Sequence, residues 1–218
     1  ARYLTDDEVA LVVNWVNDGA VEGEKPGQAL TPPAPDSLVD DNAVYLEMAE
    51  PYLPTPQPDY PTDDYRCFFL DPELSADAYV TGFEIFPGQP QEVHHMLLFA
   101  LLDEDSENAA QALDDRDATP GWQCFGAAGD DVDDFLLVAG WAPGTNVMRY
   151  PENTGVYVPG GRRMVMQIHY NLLAGEGVDD LTGVKVAFAP AVEHDALLLP
   201  IANDGFQLPP NLPITSSK

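Results

Sequence analysis

Val93-His94-His95-Met96-Leu97-Leu98-Phe99 decides how the rest of this sequence folds, because it is an apolar run that holds two of the four histidines side by side. A short apolar run of this kind is typical of a buried strand. An imidazole in a buried strand is costly unless it is paired, and a bound metal ion would pair both rings. Neighbouring side chains on a strand point to opposite faces, so one ion reaches both histidines only if the strand twists or bulges there. Histidines satisfied in the core or at the surface are the alternative.

A second apolar stretch, Met164-Val165-Met166-Gln167-Ile168-His169-Tyr170, carries a third histidine in a similar setting. Two distant strands with histidines in apolar runs predict a three-histidine metal site, built across a sheet or between two sheets. Three neutral imidazoles without a thiolate or carboxylate suit copper or zinc, and the residue types alone leave both open. Met96 could bind Cu(I) through its thioether, but packing in the core is the expectation for it.

From residue 65 onward, short apolar and alternating runs are separated by turns rich in glycine, proline and aspartate. This pattern is typical of strands. The predicted strands are 66–70, 78–86, 92–102, 135–139, 155–158, 163–172, 183–189 and 196–201. One or two helical turns are expected over 106–113. Short strands with little helix predict an all-β protein, an antiparallel β-sandwich.

The sequence before residue 65 has two parts. A helix is predicted over residues 4–18, where Thr5 and Glu8 can form a capping box and Gly19 ends the helix. Residues 25–64 are rich in proline, which predicts an extended segment that wraps the β domain, with a short strand at 43–46; a flexible linker is the alternative. The expected organisation is a helix in 1–24, the extended segment in 25–64 and the sandwich in 65–218.

The charge of the chain is strongly unbalanced, with 37 acidic residues against 9 basic ones and a net charge of −28. A surface of this sign repels nucleic acid and anionic membranes, so neither is expected as a partner. No apolar run is long enough for a membrane helix, so no membrane insertion is expected either. The acidic surface, and a chain that begins at Ala1 as a processed product would, predict a secreted, periplasmic or cell-surface protein.

The two cysteines, Cys67 and Cys124, flank the strand that carries the paired histidines. They could be free buried thiols, but an even pair in an extracellular protein favours a disulfide. The loop that this disulfide would close contains His94 and His95, so the bridge would also hold the metal-binding strand.

These motifs, taken together and in this order, resemble a known family. Cys67, His94-His95-Met96-Leu97-Leu98-Phe99, Cys124 and Gln167-Ile168-His169-Tyr170 are similar to the N-terminal domain of the copper type II, ascorbate-dependent monooxygenases, which include peptidylglycine α-hydroxylating monooxygenase and dopamine β-monooxygenase. The resemblance runs from about residue 65 to about residue 210. It implies a jelly-roll form of the sandwich, a pairing of the two cysteines, and one copper per chain.

The same resemblance implies roles for individual residues. The copper ligands would be His94, His95 and His169. Tyr65 would lie beside the copper, although a half-buried strand tyrosine is the alternative. Gln167 would lie toward a second copper, on the same strand face as His169. His194, in a polar turn, matches no ligand of the family and is expected at the surface.

The implied function is electron transfer: ascorbate or another one-electron donor reduces this domain, which passes electrons to a second, oxygen-binding copper domain. That second domain uses a His-x-His pair and a downstream methionine, and this chain contains no His-x-His. The chain alone is therefore not expected to complete hydroxylation, and the second domain is an expected partner outside it. A stand-alone, non-enzymatic copper-binding or electron-transfer module is the alternative, and a structural sandwich without metal is a third possibility.

The passage from Leu4 to Ala20 also resembles the last helix of c-type cytochrome domains. The haem-attachment motif Cys-x-x-Cys-His is absent from the chain. Either a cytochrome-c-like domain lies upstream, or this helix simply packs on the sandwich.

Overall fold

The computed structural model describes residues 4–24, 27, 36–38, 42–58, 61–145, 147–173 and 177–201. The chain divides into two compact units, Ala1–Pro35 and Asp36–Lys218. Most of the proline-rich residues between 25 and 35 lie outside the described residues, so their predicted extended form is not addressed by the structure.

The first unit contains helix α1, Asp6–Asn17, which confirms the predicted helix to within two residues at each end. The capping box forms as expected: the Thr5 hydroxyl accepts the backbone N–H of Glu8, and the Glu8 carboxylate accepts the backbone N–H of Thr5. Three acidic residues in the first turn complement the positive end of the helix dipole. None of the residues of α1 is buried. The start of this helix is therefore set by its local sequence rather than by burial.

The described residues of the second unit form eleven strands in two sheets, and one helix. The strands are β1 (Ala43–Glu47), β2 (Asp63–Leu70), β3 (Ala78–Phe86), β4 (Val93–Leu101), β5 (Trp122–Gln123), β6 (Phe135–Trp141), β7 (Met148–Arg149), β8 (Thr154–Val158), β9 (Met164–Asn171), β10 (Gly183–Ala189) and β11 (His194–Asp195), and α2 (Glu104–Asp114) follows β4. One sheet has the order β1-β10-β3-β8-β11, with β7 also paired to β3, and the other has the order β5-β2-β9-β4-β6. The pairing of β11 with β8 is parallel and the other strand pairings are antiparallel. The predicted all-β sandwich is confirmed.

The five-stranded sheet carries apolar side chains on both of its faces. Leu98 and Met166 belong to the core shared by the two sheets, whereas Phe99 and Val165 belong to a second core with Trp122. Because successive strand residues alternate between faces, this second core lies on the outer face of the sheet. Residues of α2 complete it, among them the fully buried Ala110. The outer face is where the histidines emerge.

Several details differ from the sequence-based expectations. Strand β2 begins at Asp63 rather than at residue 66, and the short strands β5 and β7 were not predicted. The strand predicted at 196–201 is wrong: Ala196 and Leu198 pack against the core while Leu197 and Leu199 are exposed, but the segment joins no ladder beyond β11. The helical turns expected at 106–113 are a longer helix, α2, because Asp103 caps it through the backbone N–H of Ser106. His194 lies in the two-residue β11 rather than in a turn, although it is exposed as expected. Neither described helix has the length and apolar character needed to cross a membrane.

Candidate metal centre

The paired histidines emerge from an irregularity at the start of β4. In the ladder with β9, Val93 pairs with Tyr170 and His95 pairs with His169, so His94 is an extra residue without a partner in the ladder. A bulge of this kind inserts one residue and re-aims the side chains around it. It removes the strict alternation that would send His94 and His95 to opposite faces. Of the two irregularities that the sequence allowed, a twist or a bulge, the structure has the bulge.

The third histidine lies at the centre of the same sheet. His169 is on β9, between β4 and β2, and its partners in the two ladders are His95 and Tyr65. The residue is only 6% exposed, whereas His95 is half-buried and His94 is exposed. The site is therefore anchored on the central strand and opens to solvent through His94.

The three rings present the same nitrogen to one another. The Nδ1 atom of His169 lies 3.1 Å from that of His94 and 3.1 Å from that of His95, and the last two lie 3.4 Å apart. Nitrogen ligands at about 2.0 Å from a tetrahedral metal lie about 3.3 Å from each other. The observed triangle fits that spacing. Among the residues that the structure describes, this is the one group of three or more histidine, cysteine or acidic side chains with metal-binding geometry.

The electrostatic setting keeps two of these rings in the neutral form that binds metals. Burial, followed by the neighbouring His169 and His94, lowers the pKa of His95 to about 4. Burial also lowers the pKa of His169, against the opposing effect of its hydrogen bond to Asp63. A proton therefore competes less for these two nitrogens in mildly acidic solution than it does for a free imidazole.

Tyr65 lies against His169. Its ring stacks on that of His169, with 4.1 Å between centroids and 5° between planes. The exposed Phe125 packs edge-on against Tyr65, with 4.7 Å between ring centroids.

Asp63 contacts the site and was not anticipated from the sequence. Its Oδ1 atom lies 2.7 Å from Nε2 of His169, and its Oδ2 atom accepts the hydroxyl of Thr62 at 2.7 Å. The pKa of Asp63 is lowered, first by Thr62 and then by His169. A sequence signal did exist: Asp63 lies two and four residues before Tyr65 and Cys67, and residues two apart share a strand face.

The disulfide predicted between Cys67 and Cys124 is present, and both described cysteines belong to it. It joins β2 to the residue that follows β5, and β5 itself pairs with β2. Gln167 lies beside the bridge, 1% exposed, and donates its amide N–H to the carbonyl of Ala127 at 2.6 Å. Two residues before His169, strand β9 is thus tied to Ala127, which lies three residues after Cys124.

Met96 and His194 lie away from the cluster. Met96 is fully buried in the core between the sheets, so its packing expectation agrees with its position. As the neighbour of His95 on a regular part of the strand, it faces the opposite side of the sheet. His194 is on β11, which belongs to the other sheet.

Three imidazole nitrogens with one exposed side can hold an ion that changes its coordination during a one-electron cycle, as copper does, or a zinc ion that binds a water. A comparison with protein families matches residues 52–176 to the family described as copper type II ascorbate-dependent monooxygenase, N-terminal domain. The match covers more than half of the chain and includes the three histidines, both cysteines, Tyr65, Asp63 and Gln167. A search of curated proteins finds no match to this chain. On the family match and the histidine geometry, the chain belongs to the copper type II ascorbate-dependent monooxygenase family, in which it represents the N-terminal domain.

Proposed function

We propose that this chain is the electron-accepting copper domain of an ascorbate-dependent monooxygenase and that it binds one copper through His94, His95 and His169. The observation that carries the proposal is the triangle of Nδ1 atoms, whose sides of 3.1 to 3.4 Å match the spacing of nitrogen ligands around one ion. Membership of a copper-dependent family supports copper over zinc.

Copper at this position would supply a centre that accepts and releases one electron. The protein groups would position the ligands and enclose the site. The ladder of β4 and β9 sets the spacing of His95 and His169, and the bulge brings His94 to the same side. Tyr65 shields one face of His169, and Gln167 ties the strand of His169 to Ala127, three residues after Cys124. We assign Tyr65 and Gln167 to the surroundings of the site, where they shape electron transfer rather than bind the ion.

The electron donor would be ascorbate or another one-electron reductant, and the acceptor would be a second copper-binding catalytic domain. The description of the matched family as an N-terminal domain supports a following domain. An upstream cytochrome-c-like domain remains part of the proposal on the resemblance of the Leu4–Ala20 passage. The disulfide supports a secreted, periplasmic or cell-surface location, because disulfides persist in oxidising compartments.

Four single variants test the ligand assignment: His94→Ala, His95→Ala, His169→Ala and, as the matched control, His194→Ala. We expect one copper per wild-type chain and per His194→Ala chain by metal analysis. Each of the other three variants should lose tight binding, because two imidazoles seldom hold the ion. The visible absorption spectrum of the copper-loaded wild type should lack an intense blue band, because both cysteines are in the disulfide and no thiolate can bind the ion. Its electron paramagnetic resonance spectrum is the reference for the variants. One copper with an unchanged spectrum in His169→Ala would refute the assignment.

The alternative function is a stand-alone copper-binding or electron-transfer module. The observation that favours it is that the described residues contain a single cluster of metal-binding geometry. The coding sequence beyond Lys218 distinguishes the two. A His-x-His pair followed by a methionine supports the monooxygenase, whereas their absence, with ascorbate reduction and electron delivery to an acceptor without substrate turnover, supports the module.

A further inference from the structure

Of the three clustered histidines, His169 depends most on the protein for a partner to its second ring nitrogen. It is the most buried of the three, so water has the least access to its Nε2 atom. Among the described residues, only His169 of the three has Nε2 in a hydrogen bond, and the partner is the carboxylate of Asp63 at 2.7 Å. The hydrogen bond between His169 and Asp63 is therefore a separate interaction from the convergence of the three Nδ1 atoms.

We propose that Asp63 is a positioning residue of this metal site: it accepts the Nε2–H of His169, and so fixes both the tautomer and the orientation in which Nδ1 faces the other two histidines. The inference rests on the proposed function for its consequences at copper. Its first step, the tautomer of His169, holds for the metal-free chain as well.

The stacking of Tyr65 alone does not fix the ring of His169. A rotation of 180° about the bond to the ring leaves its plane unchanged, and the plane is all that a stack at 4.1 Å and 5° constrains. Such a rotation would exchange Nδ1 with a carbon and remove the donor from the cluster. A hydrogen bond to Nε2 distinguishes the two orientations, because a carbon would replace Nε2 in front of the carboxylate.

Asp63 is itself held in place. The Thr62 hydroxyl donates to its second oxygen at 2.7 Å, and the backbone carbonyl of Asp63 accepts the N–H of Gln57 at 3.2 Å. On the other side, Asp63 pairs with Asn171 at the end of the β2–β9 ladder. The carboxylate of Asp63 thus lies on the strand next to that of His169, two residues before Tyr65, which is the ladder partner of His169. In this position it can act as a fixed acceptor.

A carboxylate behind a metal-binding imidazole also increases the electron donation of that imidazole. This effect stabilises a doubly charged ion more than a singly charged one. Asp63 should therefore favour Cu(II) over Cu(I) at this site and lower the reduction potential of bound copper. Removing such an outer partner costs on the order of 10- to 100-fold in metal affinity.

Two variants and one control test the proposal: Asp63→Asn, Asp63→Ala, and Asp133→Asn. Asp133 is exposed and lies just before β6. The first residue of β6 pairs with Leu101, which ends β4, whereas His95 lies near the start of β4. The control removes the same unit of charge at the far end of the sheet. Nitrogen NMR on the metal-free chain should show His169 protonated at Nε2 in the wild type and in Asp133→Asn, and a mixture of tautomers in Asp63→Ala.

In the copper-loaded chain, Asp63→Ala should bind Cu(II) 10- to 100-fold more weakly in competition with a chelator, with an altered hyperfine splitting. Asp63→Asn keeps an acceptor oxygen without the charge, so it should keep the tautomer, lose less affinity and shift the reduction potential upward. If Asp63→Ala does not fold, the potential of Asp63→Asn decides, and an unchanged potential overturns the proposal. So does a wild-type tautomer in Asp63→Ala. A wild type that binds no copper would instead refute the proposed function, while the tautomer result would still test the role of Asp63.

Discussion

His95 combines burial with a ring that must remain neutral, and this has a measurable effect on stability. Its pKa is lowered to about 4 in the folded chain, mainly by burial, against about 6.5 for a free histidine. As the pH falls, the unfolded chain takes up this proton first. The stability of the metal-free protein should therefore decrease between about pH 6.5 and pH 4, with no contribution from His95 above that window.

Urea unfolding in the presence of a chelator, for wild type and His95→Asn from pH 7.5 to pH 4, checks this expectation. The wild type should lose more stability than the variant over the window. The effect of Asp117 on stability falls in a lower pH range and can be told apart from that of His95. The hydrogen bond from Arg66 lowers the pKa of Asp117 to about 2, so the stability that Asp117 contributes is lost only as the pH falls below about 4. Parallel stability curves for the two proteins would contradict the assigned environment of His95.

The three histidines could be found from the sequence because imidazoles in apolar strand runs need a partner, and strand alternation required a twist or a bulge if His94 and His95 share an ion. Asp63 could not be found with the same certainty. An aspartate at the start of a strand is usually solvated, and its contact with His169 depends on the register that places β2 beside β9. That register is a tertiary property.

At the scale of elements, the disulfide joins two pieces of chain that would otherwise be held by a two-residue strand. Cys67 and Cys124 are 57 residues apart, and closing a loop of that length stabilises the fold by roughly 4 kcal/mol in the chain-entropy model. The same loop contains His94 and His95, and Gln167 on β9 donates a hydrogen bond to Ala127, three residues after Cys124. We expect the double variant Cys67→Ser, Cys124→Ser to lose about this much stability and also to bind copper more weakly.

Denaturant unfolding and chelator competition measure the two effects separately. Gln167→Leu is a useful comparison, because it removes the hydrogen bond to Ala127 and leaves the bridge intact. It should lose less stability than the double variant. Mass spectrometry of the wild type under non-reducing conditions should detect no free thiol, and two free thiols would rule out the bridge.

Elements whose own residues specify them were predictable, and those specified by a neighbour were not. The capping box of α1 and the alternation in β3 and β10 are local features, and these elements form where the pattern places them, whereas β2 begins three residues before its predicted start. The segment 196–201 has the same alternation, with Ala196 and Leu198 inward, yet it forms no ladder of its own. Whether an alternating run becomes a strand at the edge of a sheet depends on the partner strand, and the sequence of the run carries no information about it.

At the scale of the whole molecule, the net charge of −28 sets the field in which an electron donor approaches. Few positive charges are available to attract an anion. Among the described residues, four arginines are already in ion pairs, namely Arg66, Arg149, Arg162 and Arg163. Beside the histidines, Asp63 adds a further negative charge.

Ascorbate is an anion at neutral pH, so its encounter with this chain should be slowed by repulsion at low ionic strength. The Debye length falls from about 30 Å at 0.01 M salt to about 3 Å at 1 M, which removes most of that repulsion. We expect the second-order rate of reduction of the copper-loaded chain by ascorbate to rise severalfold over this range in stopped-flow measurements. A cationic donor, such as a ruthenium(II) ammine complex, should show the opposite trend, and a neutral hydroquinone should show little change. Because all three donors reduce the same copper, a salt effect on the site itself would move their rates together, whereas a field effect separates them by charge. An ascorbate rate that is flat or falls with salt would show that the acidic surface does not act at this site.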